Sequence, residues 1–258
     1  MVRAAVEAGA VAHDIYLGGF EVQVKADATP VTTADHAAEA VILRHLAAQL
    51  PGIAVVAEEQ AAAGVVPATG TEFFLVDPLD GTKEFINRSG DFTVNIALVR
   101  DGRPVLGVVY APATGRLFAG DVLARQAWRA QQAPGQADAP REPIQVRAVP
   151  TQGLTAVASR SHRTPETDAY LARYAVADLA SVGSSLKFCL VAEGVADLYP
   201  RLGPTMEWDT AAGHAVLTAA GGTVVGPDGL PLAYGKPGFR NPWFVAAGSF
   251  VPQPLPER

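Results

Sequence analysis

Residues 73–82 read Phe73-Phe74-Leu75-Val76-Asp77-Pro78-Leu79-Asp80-Gly81-Thr82. Four apolar residues in a row make a strand buried on both faces, which places it inside a sheet covered by other layers. The strand ends in two carboxylates three residues apart, with Pro78 and Gly81 shaping a tight turn around them. In layered α/β architectures, ligands gather at the carboxyl ends of strands. Carboxylates held this close repel one another unless a cation sits between them. An all-oxygen donor set suits a hard divalent ion such as Mg²⁺. Taken alone, the segment also reads as two acids that start and cap a turn. Other carboxylates weigh against that reading. Glu58-Glu59 follow a short apolar strand of their own (Ile53–Val56), and Asp209 stands just before a helix, where by itself it would read as an N-cap.

Upstream, an Ala-rich stretch (Ala4–Tyr16) reads as a helix, and Asp27-Ala28-Thr29-Pro30 is a turn signal. Ala38, Val41, Ile42, Leu46 and Leu50 recur at helical spacing, so Ala34–Leu50 is a helix stopped by Pro51-Gly52. Downstream, Phe92, Val94, Ile96 and Leu98 share one side of a strand. Asp101-Gly102 turns that strand into Val105–Tyr110, as in an antiparallel meander. Gln131–Pro143 lacks periodicity and reads as a linker or long surface loop. Beyond it, strands (Thr155–Ala158, Phe244–Ala247) interleave with helices (Thr164–Tyr174, Ser185–Glu193, Thr210–Ala220). The expectation is therefore an α/β protein, with an α+β N-terminal half (1–143) and an α/β C-terminal half (144–258).

Composition narrows the function. The chain has 258 residues, 49% hydrophobic and 18% charged, which suits a folded protein with a substantial core. Twenty basic against 26 acidic residues give a net charge of −6, so a nucleic-acid polymer is not an expected partner. The single cysteine excludes an internal disulfide and a Cys-cluster zinc site. No apolar run is long enough to span a bilayer, and Glu7, His13 and Asp14 interrupt any signal-peptide core. The chain reads as cytoplasmic, with peripheral contact at the inner membrane left open.

The string Asp77-Pro-Leu-Asp-Gly-Thr82, together with Glu207-Trp-Asp-Thr-Ala-Ala-Gly213, resembles the paired signatures of the inositol monophosphatase superfamily. The segments Pro30–Ile42, Asp77–Val99 and Gly183–Arg201 resemble its bisphosphate nucleotidase branch. So does Lys83-Glu84 directly after Thr82, where inositol phosphatases more often carry Thr-Asn. The likeness runs through nearly the whole chain. It implies the layered αβαβα sugar-phosphatase fold and a lithium-sensitive, Mg²⁺-dependent phosphatase with two or three metal ions.

Carried over by position, the metal ligands are Glu58, Asp77, the Leu79 carbonyl, Asp80 and Asp209. Thr82 and Asp35 would activate the attacking water. Without the resemblance, Asp35 is simply an acid in the first turn of a helix. The substrate would be adenosine 3',5'-bisphosphate, touched by Glu58, Leu79, Asp80, Gly81, Thr82, His162, Ser184, Lys187, Arg201 and Asp209. Gly183-Ser184-Ser185-Leu186-Lys187 reads as a Ser-capped helix start whose N–H groups and Lys187 would converge on the phosphate that is not cleaved. A polyol-phosphate phosphatase and a catalytically silent metal or nucleotide sensor remain as alternatives, as do a monomer and a homodimer. His214 and the tryptophans Trp128, Trp208 and Trp243 are expected to be structural.

Overall fold

The computed structural model describes residues 1–24, 30–136, 139–159 and 164–256. Asp27, Ala28 and Thr29 of the expected turn, and His162, lie outside them. The first elements are α1 (Val2–Gly18), β1 (Val22–Val24), β2 (Pro30–Thr32), α2 (Thr33–Gln49), β3 (Ala54–Ala57), α3 (Glu58–Ala62), β4 (Glu72–Asp80) and α4 (Thr82–Ile86). Next come β5 (Thr93–Arg100), β6 (Arg103–Ala111), β7 (Arg116–Asp121), β8 (Gln126–Gln131) and β9 (Glu142–Pro143). The rest are β10 (Leu154–Ser159), α5 (Pro165–Leu171), β11 (Val176–Val182), α6 (Leu186–Ala192), β12 (Leu198–Arg201), α7 (Ala211–Ala219), β13 (Thr223–Val225) and β14 (Phe244–Ala247).

Strands β3 to β9 form a seven-stranded sheet in sequence order, antiparallel except for the parallel β3–β4 pair. The second sheet has five strands in the order β11-β10-β12-β14-β13. Helices α1 and α2 cover the outer face of the first sheet through Ala5, Ala8, Ala38, Ile42 and Leu46, and Tyr110 comes from the sheet itself. Helices α6 and α7 lie between the sheets in one continuous core that joins Phe73, Val99 and Val109 to Phe188, Val216 and Phe244. Helix α5 covers the far face of the second sheet with Tyr170 and Leu171. This is the αβαβα layering that the sequence leads one to expect. Because both faces of the first sheet are covered, residues 93–99 of β5 are all buried, not only Phe92, Val94, Ile96 and Leu98 on one side. Among the described residues, no helix is long and apolar enough to cross a membrane.

The Asp101-Gly102 hairpin, α1, α2 and α7 lie where periodicity puts them. The short β-strands β1, β2, β7 to β9 and β11 to β13 have no counterpart in the sequence reading, β9 lying inside the segment read as a linker or loop, since few of them show a period-2 pattern long enough to detect. Helices α5 and α6 are shorter than the periodicity indicates, at seven residues each. Described residues on the aperiodic segment after β8 are tied to the fold. Buried Gln132 accepts the Ala139 N–H, and its carbonyl accepts the Tyr110 hydroxyl.

Glycine lets α7 sit almost on the backbone of the first sheet. A Cβ at Gly107 would stand 2.3 Å from the Ala212 carbonyl oxygen and 2.8 Å from the Ala215 Cβ. The clash is mainly with backbone, so no side-chain rotation relieves it. Gly107→Ala is expected to destabilise the fold by about 1–3 kcal/mol, read as a lower Tm in calorimetry. An unchanged Tm would show that α7 can yield at no cost.

Candidate active site

Strand register assembles the acidic centre. Strands β3 and β4 run parallel with Ala57 opposite Val76, so the next residues, Glu58 and Asp77, emerge side by side at the carboxyl edge. On the other side, Asp77 is paired with Asn95 of β5, and the ladder breaks before Asp80. The break frees the Pro78-Leu79 turn, in which the Leu79 N–H donates to Asp77 Oδ1 at 3.0 Å. Helix α7, seated on Gly107, brings Asp209 to the same edge. Carboxylate oxygens of Glu58, Asp77 and Asp209 lie within 4.8 Å of one another.

Asp80 completes the arrangement electrostatically. Burial raises the Asp77 and Asp209 carboxyls well above the usual range, and the neighbouring charges of Glu58 and Asp80 add to the shift in both. Asp80 is raised too, chiefly by burial, although the charge of Lys187 opposes this. Crowded carboxylates that cannot all ionise without a counter-charge are the donor set of a cation site.

Asp209 differs from the sequence expectation in one respect. Thr210 is the N-cap of α7, and Asp209 Oδ2 instead accepts the Met206 N–H at 2.8 Å. That bond turns the carboxylate back toward the acidic edge and away from its own helix. Asp35 likewise does more than complement a helix dipole. It is the N3 member of a capping box, where its Oδ2 accepts the N–H and the hydroxyl of Thr32 at 2.8 and 2.7 Å. Its Oδ1 faces Thr82, whose hydroxyl lies 3.4 Å away and also 3.5 Å from the Leu79 carbonyl.

The basic side of the site is built otherwise than as a Ser-capped helix. Ser185 is the N-cap of α6 but makes no capping bond. Its hydroxyl donates to the Asp209 carbonyl at 2.6 Å and accepts from Asn95 Nδ2 at 3.0 Å. Lys187 is buried rather than solvated, and its ammonium donates to the Ser184 and Val182 carbonyls. Burial draws it down to about 8, against the pull of the Asp80 charge. Buried Arg201 gives one N–H to the Pro204 carbonyl at 2.9 Å, while its Nε has no hydrogen-bond partner among the described residues. A buried guanidinium N–H left in this way is suited to an anion.

Sequence reasoning missed several supporting residues. Glu39, a buried acid on the apolar face of α2, accepts the Glu59 and Gln60 N–H groups at 2.8 and 3.1 Å, fixing the start of α3 beside Glu58. Burial pushes its carboxyl up to about 7, against those two bonds. The signal was present: a charge interrupting Ala38, Val41 and Ile42. Asn95 ties Asp80 (3.4 Å) to Ser185, and Thr93 pairs with Ser184 at 2.7 Å. These links join β5 to the start of α6, and no local pattern announces them. His214 is structural, as expected. It bonds the Tyr234 hydroxyl at 3.0 Å, and burial lowers it to about 3.

The site opens into a cavity of about 730 Å³. Glu58, Asp77, Asp80 and Asp209 line it, together with Lys83, Ser184, Lys187 and Arg201. Leu79, Gly81 and Thr82 also line it, so every expected site residue except Asp35 and the undescribed His162 borders this space. Trp208 is buried in the core, as its expected structural role requires, and also borders this cavity.

The profile of the inositol monophosphatase family matches residues 1–247. The chain is 46% identical over 240 residues to the 3'(2'),5'-bisphosphate nucleotidase CysQ of Escherichia coli O157:H7, covering 92% of this chain and 94% of the relative. The crystal structure of CysQ from Bacteroides thetaiotaomicron superposes with a TM-score of 0.80 at 40% identity, covering 96% of this chain and 95% of that one. An inositol monophosphatase from Anabaena (Nostoc) sp. PCC 7120 superposes with a TM-score of 0.73 at 27% identity, over 96% of this chain and 89% of that one.

Proposed function

This chain belongs to the inositol monophosphatase family, and we propose that it is a Mg²⁺-dependent 3'(2'),5'-bisphosphate nucleotidase. It hydrolyses adenosine 3',5'-bisphosphate to AMP and phosphate, clearing in the cytoplasm a by-product of sulfate assimilation. The observation that carries this reading is the joint make-up of the cavity: clustered carboxylates, Asp77 buried and the others half-buried, share it with a buried lysine and a buried arginine whose Nε has no hydrogen-bond partner among the described residues. A phosphate to be cleaved belongs at the first group and a second, retained phosphate at the other.

In this reading Glu58, Asp77, Asp80, Asp209 and the Leu79 carbonyl hold two or three Mg²⁺ ions. The donors are all oxygen and bring more negative charge than burial tolerates alone, which fits a hard divalent cation. Bound there, the metal supplies Lewis-acid neutralisation of the phosphoryl charge and lowers the pKa of water. The protein's own part is positioning. Thr82 orients the attacking water and relays its proton to Asp35, whose Oδ2 is already engaged by Thr32. The new bond joins the water oxygen to phosphorus and the ester bond to the ribose oxygen breaks; that oxygen takes up one proton from solvent water, and Asp35 returns to solvent the one proton it accepted, so the step consumes one water and no net proton. Ser184, Lys187 and Arg201 retain the other phosphate. His162 enters this scheme on sequence alone.

The competing substrate is a polyol phosphate. With Mg²⁺ present, kcat/KM for adenosine 3',5'-bisphosphate should exceed that for inositol 1-phosphate by on the order of 10²-fold, since buried charged groups left unpaired penalise the wrong ligand. A preference for the inositol compound would overturn the substrate assignment.

A further inference from the structure

We infer that Phe239, held in place by Glu207, is a specificity-determining residue whose ring extends Trp208 into an apolar wall for the planar base of the substrate. This rests on the nucleotidase reading and deepens it. The cavity exceeds what a phosphate and its cations fill, and part of its lining is neither acidic nor basic. Met206, Trp208 and Phe239 line it, beside Gly238. The Trp208 and Phe239 ring centroids are 6.2 Å apart at 37°. That is a contact pair and not an open slot, so a planar ligand lies against the pair on one side.

What holds Phe239 there is a carboxylate that neither a cation nor a phosphate requires. Glu207 is wholly buried. Its Oε2 accepts the Gly235 N–H at 2.7 Å, and its Oε1 accepts the Lys236 N–H at 2.9 Å and pairs with the Lys236 ammonium at 2.6 Å. The Glu207 N–H donates to the Phe239 carbonyl at 2.8 Å. Asn241 closes the other end, its N–H on the Thr205 carbonyl at 3.0 Å and its Nδ2 on the Met206 carbonyl at 2.8 Å. Between these anchors Phe239 adopts φ +53°, a left-handed conformation that an aromatic residue keeps only when its surroundings impose it. Three consecutive residues thus divide the work. Glu207 clamps the loop, Trp208 begins the wall, and Asp209 joins the acidic cluster. A base lying on an aromatic face gains roughly tenfold or more in binding.

The test compares kcat/KM for adenosine 3',5'-bisphosphate with that for the base-free methyl riboside 3,5-bisphosphate. In the unaltered protein the nucleotide should be favoured by about tenfold or more. Phe239→Ala, at a half-buried position, should collapse that ratio through KM, Phe239→Tyr should keep it, and Glu207→Gln should lower it in the same direction. A ratio that survives in Phe239→Ala, or an unaltered protein that hydrolyses both compounds equally well, overturns the inference alone. A protein that hydrolyses neither bisphosphate overturns the nucleotidase reading and this inference with it.

Discussion

Asp77→Asn is expected to abolish phosphatase turnover, by at least about 10²–10³-fold, the scale seen when one group stabilising transition-state charge is removed. The fold should survive. Asparagine keeps an oxygen for the Leu79 N–H, and its amide can donate to the carboxylates of Glu58 and Asp209. The metal-free variant should therefore be at least as stable as the metal-free parent, because a buried like charge is gone. Two readouts then move apart: lost activity and an undiminished metal-free Tm. Turnover near the parental rate would remove Asp77 from the metal site. A collapsed Tm would mean that Asp77 acts as a structural acid.

A divalent cation should stabilise the protein much more at pH 8 than at pH 5. Asp77, Asp80 and Asp209 all have native carboxyls raised above their unfolded values, so the native state holds protons that the unfolded state has released. For a raised carboxyl, the stability present below the unfolded value near pH 4 is lost as pH rises through the native value. Without metal, the cluster thus weakens the fold progressively above about pH 4. Mg²⁺ binds the ionised form and reverses the penalty. At about a hundred times its dissociation constant it adds about 2.7 kcal/mol, a Tm gain of roughly 5–10 °C for a chain of this size. Scanning calorimetry with and without Mg²⁺ at the two pH values measures this directly. An equal gain at both, or none at pH 8, would contradict a cation site built from these acids.

Much of this protein is legible locally. The Phe73–Val76 run must be buried on both faces because it offers no polar edge to water, and α2 follows from apolar residues at helical spacing. The two acidic signatures are contiguous strings, so their resemblance to a family needs no coordinates. Local pattern misled where a polar side chain found a distant partner. Ser185, a natural helix cap by type, spends its hydroxyl on the Asp209 carbonyl, and Lys187, a natural surface residue, is buried on the Ser184 and Val182 carbonyls. Asn95 and Glu207 carried no readable role, and Glu39 showed only as a charge on an apolar helix face, because each acts through backbone or side-chain groups between 15 and 90 residues away.

By itself, then, the order of residues determined which segments are apolar enough to become strands and helices, and which acids those segments carry at their ends. Only the tertiary structure decided that Glu58, Asp77 and Asp209 share one edge. The parallel register of β3 on β4 and the seating of α7 on Gly107 are pairings between distant segments, and a one-residue slip in either would send the carboxylates apart. The aromatic wall has the same origin. Phe239 reaches the cavity only because a buried carboxylate 32 residues earlier, next to Trp208, holds its loop there.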